Sequence, residues 1–238
     1  MEQVVAADNP AVVQALDIFV DRIRRGKIRY GQPLKETVIA QQENLSRNAV
    51  RETLSQLVGF GVIDYRPFCG YRMRTFTDQD RLEWYELREA IEPLAARRLA
   101  YLRPAHSLKK LQMIIDGQRK ALEAKDQAAF CSADLNFHVA LVEECGNHCF
   151  ARQQNHIYMA ALFMNDDEAD ADKNERSASF YHYTPEENDI ATLQAHANIL
   201  QLIAEGKAVE AEDLVRCHCH IQVEAMIQYI ALHPERRK

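Results

Sequence analysis

Four polar side chains interrupt helical stripes that are otherwise apolar. Asp134 and His138 are four residues apart, so they lie side by side on one predicted helical face. His196 occupies the apolar stripe of a second predicted helix, and His218 that of a third. The apolar members of the stripes are Phe130, Phe137 and Leu141 in the first, Leu193, Leu200 and Ile203 in the second, and Ala211, Leu214, Ile221 and Ala225 in the third. One carboxylate and three imidazoles are therefore expected to lie against the core.

These buried polar groups need partners, because an unpaired one costs on the order of 1–3 kcal/mol or more. Each histidine taken singly is explained by a hydrogen bond to a core neighbour, but one metal ion satisfies all four groups together. One carboxylate and three neutral imidazoles suit Zn, Ni, Co, Mn or Fe and leave positions open on a five- or six-coordinate ion. We predict one divalent transition metal ion, Zn, Ni or similar, with the ligands Asp134, His138, His196 and His218.

The segment CHCH, residues 217–220, offers a different interpretation as a zinc site with thiolate ligands. Helical geometry points Cys217 and Cys219 away from His218 and puts His220 on the opposite face of the helix. These two cysteines and His220 are therefore left out of the predicted metal site.

A second group of candidate functional residues lies in the stretch LSRNAVRETL. Arg47, Asn48 and Arg51 fall on the outward side near the start of a predicted helix that runs from Arg47 to about Val58. The helix dipole disfavours cations at an N-terminus, so two arginines there indicate an external anion. The inward positions of the same helix are Val50, Leu54 and Leu57.

The segments on either side of this helix predict a winged helix-turn-helix. The stretch GVIDYRPFCGYRM gives two short strands joined by a turn with Pro and Gly, and this hairpin carries Arg66. A recognition helix for the major groove would then lie beside a basic wing. The simpler alternative is a three-helix subdomain with a solvated charged face. Preceding helices are predicted over 11–25 and from Glu36 to about Gln42, followed by a left-handed turn at Asn44 and an N-cap at Ser46.

Charge is distributed unevenly along the chain. Residues 1–76 carry 11 Lys+Arg against 8 Asp+Glu, a net +3, whereas the remainder carries 18 against 27, a net −9. A basic N-terminal portion on an acidic protein indicates a polyanion-binding module. The N-terminus lacks a secretion signal and no run of about 18 apolar residues is present, so a cytoplasmic protein without a membrane partner is expected.

The chain after residue 76 reads as helices throughout. We therefore predict a mainly α fold with two domains, a winged helix-turn-helix over 1–76 and an all-α bundle over 77–238 that binds metal and effector and dimerises. A short linker covers 75–80, and an acidic, polar connection covers 165–189. The predicted helices are 79–102, 105–124, 126–145, 148–164, 186–205 and 208–232.

The motif SRNAVRETL and the wing RPFCGYRM together resemble the DNA-binding domain of the GntR family of bacterial regulators, whose core pattern is SRxxVRExL. The resemblance implies that Arg47 and Arg51 contact operator DNA. It also implies that Gly70 forms the wing-tip turn that meets the minor groove. The departures from the family pattern are Glu43, in place of an apolar residue, and Phe68 with Cys69, in place of a polar or basic tip.

The helical half resembles the ligand-sensing domain of the FadR-type branch of this family, through the segments ELREAIEPLAARRLA, DLNFHVALVEECGN and AHANILQLIAEGKAVEAEDLVRCHCHI. In metal-binding members the ligands are one Asp and three His, which fall on Asp134, His138, His196 and His218. The effector implied is a small organic carboxylate. Arg88 is a candidate second anchor, because a guanidinium binds a carboxylate in bidentate fashion. Two other interpretations of Arg88 are an extended surface side chain and a salt bridge to Glu92.

These patterns favour a ligand-responsive transcription factor, a repressor. Because one helix-turn-helix reads only a few base pairs, a homodimer on a short inverted repeat of double-stranded DNA is expected. Two alternatives stay open, a metal-dependent enzyme acting on a small carboxylate and a ligand-independent DNA-binding protein. HExxH is absent, and no histidine has a glutamate three residues before it, which argues against metalloprotease and di-iron chemistry.

Overall fold

The computed structural model describes residues 10–24, 27–29, 31–154 and 186–233. These residues divide into two units: those up to Phe76 belong to the first, and those from Thr77 belong to the second. Helices predominate, and the strands described form one small sheet. The prediction of a mainly α fold, a winged helix-turn-helix followed by a helical bundle, is confirmed.

The described part of the first unit combines helices with a small antiparallel sheet. Its central strand is β3, which pairs with β1 on one side and β2 on the other. The register places Arg66 opposite Gly70 at the end of the β2–β3 hairpin. The elements are α1 Pro10–Arg24, β1 Pro33–Leu34, α2 Glu36–Glu43, α3 Arg47–Gly59, β2 Ile63–Arg66 and β3 Gly70–Met73.

The turn between α2 and α3 follows from two residues. Asn44 ends α2 with φ 53° and ψ 42°, the left-handed conformation that asparagine tolerates. The Ser46 side chain then accepts from the Ala49 N–H at 3.1 Å and caps α3. Both predictions are confirmed. Helix α3 packs on α1 through a buried core of Val12, Leu16 and Phe19 from α1 and Val50, Leu54 and Leu57 from α3.

Glu43, the departure from the family pattern at the end of α2, has a polar partner. The Arg22 guanidinium of α1 forms an ion pair with the Glu43 carboxylate and also donates to Gln42 Oε1 at 3.2 Å. Both charged side chains are partly buried. An ion pair between α1 and α2 therefore stands where the family usually has an apolar contact.

The second unit begins without a long linker. Thr77 caps α4 through a capping box with Asp80, so residues 78–80 of the predicted linker are already helical. The predicted helix 148–164 is described only to residue 154, and the acidic connection lies outside the described residues up to 185. The elements are α4 Asp78–Leu102, α5 Ala105–Glu123, α6 Gln127–Glu144, α7 described over 148–154, α8 Glu186–Glu205 and α9 Ala208–Leu232.

The bundle is built on the long pair α4 and α9, which pack along one another, while α5 contacts α6 and α8. Each helix buries an apolar stripe, which is the term that stabilises such bundles. No helix in the ranges described is both long and apolar enough to cross a membrane. The shared core includes Ile91, Ala95, Leu99, Leu111, Ile115, Phe137, Leu141, Ile199, Ile203, Ala211 and Val215.

Candidate metal centre and nucleic-acid interface

The helical unit brings the four predicted metal ligands to one place. Asp134 and His138 come from α6, His196 from α8 and His218 from α9. His218 Nε2 lies 3.3 Å from His196 Nε2 and 3.4 Å from His138 Nε2. Asp134 Oδ1 lies 3.5 Å from His196 Nε2 and 4.0 Å from His138 Nε2. Three imidazole nitrogens from three helices thus lie close enough together to hold one ion, and the Asp134 carboxylate lies beside two of them.

The outer ring nitrogens of two of these histidines are held by side chains of other helices. His138 Nδ1 is 2.6 Å from Glu92 Oε2 on α4, and His196 Nδ1 is 2.9 Å from Gln118 Oε1 on α5. Glu92 and Gln118 are fully buried. Because a carboxylate oxygen and an amide oxygen accept, each Nδ1 donates. Both rings are therefore held in the tautomer whose Nε2 carries a lone pair toward the centre.

This arrangement supplies too few protons for the atoms that meet at the centre. His138 and His196 present Nε2 lone pairs, and the Asp134 carboxylate also accepts. A neutral His218 has one N–H to share and can donate to only one of its two nitrogen neighbours. At least one of the N···N contacts, at 3.3 and 3.4 Å, then brings two lone pairs together. A metal cation removes this conflict because it binds all the lone pairs at once.

Burial sets the protonation states of the cluster. Burial, followed by repulsion from His138 and His218 when those rings are protonated, lowers the pKa of His196 well below its ordinary value. Burial, followed by His138 and Arg88, lowers the pKa of His218 to about 3. Burial raises the pKa of Asp134, although His138 and Arg88 oppose this. His196 and His218 are therefore neutral near pH 7, which is the form that binds a metal.

Arg88 lies inside the bundle. It is 4% exposed, and its Nε donates to Glu92 Oε1 at 2.8 Å. Its interpretation as an extended surface side chain is therefore wrong, and the salt bridge to Glu92 is confirmed. Burial alone raises the pKa of Glu92, but Arg88 and His138 together hold it well below the usual range. Glu92 is thus a charged anchor shared by Arg88 and His138.

A second buried group of potential ligands adjoins the histidines. Glu92, His138 and Cys219 lie close enough to hold an ion, and Cys219 Sγ donates to Glu92 Oε2 at 3.3 Å. Cys219, which the predicted site leaves out, therefore reaches the carboxylate that supports the site. Burial and the Glu92 charge raise the pKa of Cys219, so the thiol keeps its proton, whereas a metal binds the thiolate. The three-histidine group is the better fit.

The other faces of α9 carry the residues excluded from the predicted site. His220 has a side chain 53% exposed and pairs with Glu89 at 3.1 Å. Cys217 is exposed. Ile221, predicted to share the apolar stripe of His218, is instead 63% exposed. The buried face of α9 is therefore rotated from the prediction toward Cys219, and this rotation leaves His218 at the edge of the stripe, where it is partly exposed.

The separations within the cluster suit one ion. Nitrogen ligands lie about 2.0–2.1 Å from zinc and carboxylate oxygens about 2.0–2.2 Å. Two ligands on neighbouring positions of one such ion are themselves about 3.0–3.4 Å apart. The N···N distances of 3.3 and 3.4 Å match this range, whereas Asp134 Oδ1, 3.5 and 4.0 Å from two of the nitrogens, lies outside the group formed by the three histidines. The residues present therefore fit a small divalent cation.

In the first unit, α3 exposes its polar and cationic side chains. Arg47, Asn48 and Arg51 are all exposed on its first turns. The Nε and Nη2 atoms of Arg51 donate to the Glu36 carboxylate of α2 at 3.1 and 2.9 Å. The hydrogen bond from Arg51 is the main cause that lowers the pKa of Glu36. The inference that both arginines need an external anion is therefore wrong for Arg51, which has an internal one.

The wing is fastened to α3 by a tyrosine. Ser55 Oγ on α3 and the Tyr71 hydroxyl on β3 are 3.2 Å apart, and the rings of Tyr65 and Tyr71 have centroids 5.0 Å apart. Arg66 is exposed at the end of β2. Gly70 has φ 80°, a conformation that explains why glycine stands there. Arg66 and Gly70 thus lie at the free end of a hairpin held beside α3.

The sequence pattern did not identify three buried polar side chains near the histidines as parts of the site. They are Glu92, Gln118 and Gln154. Gln154 is 1% exposed, and its Nε2 lies 3.5 Å from Glu92 Oε1. A signal existed for Gln118, which follows Leu111 and Ile115 at helical spacing on one apolar face. The sequence indicates Glu92 only as a partner of Arg88, four residues before it. Its contact with His138 joins residues 46 positions apart, which no local pattern indicates.

Comparison with known proteins places the bundle in a family. Residues 83–220 match the FCD domain. A protein of Paenarthrobacter nicotinovorans named "Probable D-xylose utilization operon transcriptional repressor" is 28% identical over 142 residues, 60% of this chain and 62% of that protein. The HTH-type transcriptional repressor RspR of Escherichia coli is 32% identical over 113 residues, 48% of this chain and 50% of RspR. The chain thus spans half to about three fifths of the length of these curated relatives.

Two solved structures share the fold over nearly the whole chain. Escherichia coli McbR/YncC has a TM-score of 0.65 at 15% identity and covers 97% of this chain and 100% of its own. A GntR regulator from Rhodococcus sp. RHA1 has a TM-score of 0.66 at 20% identity and covers 92% of this chain and 99% of its own. At these identities the likeness shows the fold alone. With the FCD match over more than half of its residues, the chain belongs to the FadR-type, FCD-domain branch of the GntR family of transcriptional regulators.

Proposed function

We propose that this protein is a ligand-responsive DNA-binding repressor whose helical unit binds one divalent transition metal ion and a small organic carboxylate. Family membership supports the regulatory role, since the curated relatives named above are transcriptional repressors. The observation that carries the sensing role is the meeting of three imidazole nitrogens inside the bundle, with Nε2 contacts of 3.3 and 3.4 Å and the Asp134 carboxylate 3.5 Å from one of them. A ligand-independent DNA-binding protein leaves this destabilising cluster unexplained.

The proposed ligands of the ion are Asp134, His138, His196 and His218. Glu92 and Gln118 would orient two of the rings through their Nδ1 hydrogen bonds, which support metal sites by fixing ring tautomer and direction. When bound, the ion supplies a Lewis-acidic centre with open positions that a carboxylate oxygen can fill.

The charges around the cluster favour an anionic effector. Asp134 and Glu92 each contribute a negative charge, Arg88 contributes a positive charge, and the imidazoles are neutral as ligands. With a divalent ion this leaves one net positive charge in a buried place, which a single carboxylate neutralises. Arg88 is the proposed second anchor for that carboxylate, and its burial at 4% exposure puts its charge within the bundle.

For the first unit, we propose that α3 enters the major groove of a double-stranded operator. Arg47, Asn48 and Arg51 would contact bases and phosphates there, with Arg66 and Gly70 contacting the DNA beside it through the wing. The exposure of these side chains on the start of α3 and at the end of β2 supports this assignment. A homodimer on a short inverted repeat would double the few base pairs that one helix reads.

The proposed coupling between effector and DNA runs along α4. Strand β3 ends at Met73 and α4 begins at Asp78, so residues 74–77 form the whole connection. The start of α4 is firmly capped, since the Thr77 N–H donates to Asp80 Oδ2 at 2.8 Å. The same helix carries Glu92, which contacts His138. Occupancy of the site can therefore bias α4, and with it the DNA-competent arrangement of a dimer.

The experiment that tests this function begins with elemental analysis of the full chain purified without chelator. A thermal-shift screen of small carboxylic acids follows, on metal-loaded and chelator-stripped protein, because a ligand of the native state raises its stability by mass action. We expect a bound transition metal, an acid that stabilises only the loaded protein, and a changed affinity for DNA selected from a random pool. Equal stabilisation of the stripped protein contradicts the metal role. Conversion of the acid to a product favours a metal-dependent enzyme.

A further inference from the structure

The tip of the wing holds an aromatic side chain in an uncommon conformation. Pro67, Phe68 and Cys69 join β2 to β3, and the Cys69 N–H donates to the Arg66 carbonyl at 3.1 Å to close the turn. Phe68 has φ 66°, in the left-handed region that bulky residues rarely adopt. Proline at the second position and a positive φ at the third are features of a type II turn, where glycine or asparagine is usual at the third.

Burial of the Phe68 ring does not compensate for this strained backbone conformation. Its relative exposure is 108%, so the ring gains no burial. The left-handed backbone conformation destabilises the free protein, the exposed ring contributes no burial to offset it, and glycine or asparagine at this position would avoid the strain. A strained and fully exposed aromatic side chain therefore indicates a contact made in a complex.

The surroundings of the tip indicate a polyanion as the partner. Arg66 immediately precedes the turn and is exposed, whereas Arg72 donates to the Gly31 carbonyl and lies opposite Asp64, the one acid of the hairpin strands. The hydrogen bond between Ser55 and Tyr71 holds the hairpin against α3, the proposed recognition helix. Phe68 is thus an exposed apolar side chain next to the cation Arg66, on a hairpin held against α3.

We propose that Phe68 is a wedge that enters the minor groove of operator DNA and partly unstacks one base-pair step. This proposal rests on the proposed DNA-binding function. With α3 in the major groove, a hairpin beside it reaches the adjoining minor groove, and apolar side chains inserted there unstack bases and kink the duplex. Arg66 then pairs with phosphates bordering the groove. Flexible pyrimidine–purine steps yield most readily, so such a step is expected under each wing.

The test uses the full chain and duplexes that the wild-type protein selects from a random pool. Phe68→Gly relieves the turn and removes the ring, whereas Phe68→Trp keeps an aromatic wedge. Met113→Ala is a matched control, because Met113 is an apolar residue on α5, in the other unit, and is 64% exposed. Three quantities are measured: melting temperature, DNA affinity by fluorescence anisotropy, and unstacking by the fluorescence of 2-aminopurine placed at successive steps.

We expect wild type to raise 2-aminopurine fluorescence at one step per half-site. Phe68→Gly should melt at the same or a higher temperature, bind roughly 5- to 150-fold more weakly and abolish the fluorescence rise. Phe68→Trp and Met113→Ala should retain both binding and unstacking. Full affinity of Phe68→Gly, or tight wild-type binding without unstacking at any step, overturns the wedge. Failure of the wild-type protein to enrich any DNA overturns the proposed DNA-binding function itself, and the wedge with it.

Discussion

The two units keep their chemistry in opposite environments. Arg47, Arg51 and Arg66 are exposed and come from one short stretch of chain, whereas the histidine cluster is largely buried and its members are up to 84 positions apart, from Asp134 to His218. Water solvates an exposed cation, so the DNA face needs few internal partners. A buried polar group needs at least one hydrogen-bond or metal partner. Changes on α3 should therefore alter binding alone, and changes in the cluster should alter stability as well.

The largest expected effect comes from removing a histidine of the cluster. His196→Ala or His218→Ala should weaken metal affinity by more than about 100-fold, because loss of a ligand exceeds loss of an outer contact. Melting temperature should fall and the effector response should disappear, while DNA binding persists wherever the fold survives. Elemental analysis after gentle purification, with effector titrations, measures these changes.

The control for both variants is His220→Ala, which removes a half-exposed histidine of the same helix that pairs with Glu89 instead. It should keep metal, stability and response. Full metal occupancy in His196→Ala and His218→Ala, or metal loss confined to His220→Ala, would return these histidines to ordinary core residues.

A smaller loss is expected at the outer contacts. Glu92→Gln keeps the side-chain shape but removes the charge shared by Arg88 and His138. We expect about 10- to 100-fold weaker metal affinity, measured by competition with a chelating dye. Glu89→Gln, on the same helix but paired with His220, is the matched control. Equal affinities in the two variants would exclude Glu92 as a support of the site.

On the DNA face, Arg47→Ala and Arg51→Ala should each weaken operator binding by roughly 5- to 150-fold. Helical content, by circular dichroism, should stay unchanged, because both side chains are exposed. Metal content should also stay unchanged, which is the contrast with the cluster. An operator affinity equal to wild type in the double variant contradicts the assignment of α3 as the recognition helix.

Coupling can be weakened without touching either site. Four flexible residues inserted after Thr75, within the connection 74–77, should reduce the effector response more than they reduce DNA affinity. Coupling of this kind is worth about 1–3 kcal/mol, so its loss is measurable. DNA binding is titrated with and without the effector in the wild-type and extended proteins. An undiminished response would show that coupling runs through a different contact.

The smallest expected effect is at Glu36. Glu36→Gln removes the charge that holds Arg51, and exposed pairs contribute little, so operator affinity should change by less than about fivefold. Affinity for random DNA should rise, because Arg51 is then released toward any phosphate. Anisotropy titrations with selected and scrambled duplexes give the ratio of operator affinity to random-DNA affinity for each protein. A ratio unchanged from wild type contradicts a role for Glu36 in selectivity.

In the first unit, local sequence pattern was sufficient to predict the turn between α2 and α3 and the cap of α3. Asn44 and Ser46 each act on the backbone within a few residues, so type and position alone predicted the turn and the cap. What the pattern missed was the partner of Arg51. The Glu36 carboxylate lies on the preceding helix, 15 residues away, and only the angle between α2 and α3 brings it into contact.

For the cluster, the polar interruptions predicted which residues meet but not what supports them. The three histidines stand out because each lies in an apolar stripe. Ile221 was misplaced because a stripe drifts around a helix as long as α9, and the face that packs on α4 is centred on Val215 and Cys219. Glu92 and Gln154 contact the site across helices, so their role depends on packing that spacing does not specify.

The Glu36–Arg51 pair has a consequence for how such a regulator searches a genome. An arginine that is already neutralised gives little to a random stretch of duplex, whose phosphates offer it no more than the carboxylate does. A guanine edge offers two aligned acceptors, and base readout by Arg51 there would add to the phosphate contacts that random DNA also provides. If Arg51 reads a base as proposed, the pair would therefore weaken binding to wrong sequences more than binding to the right one, which matters because wrong sites outnumber right ones by about a millionfold or more.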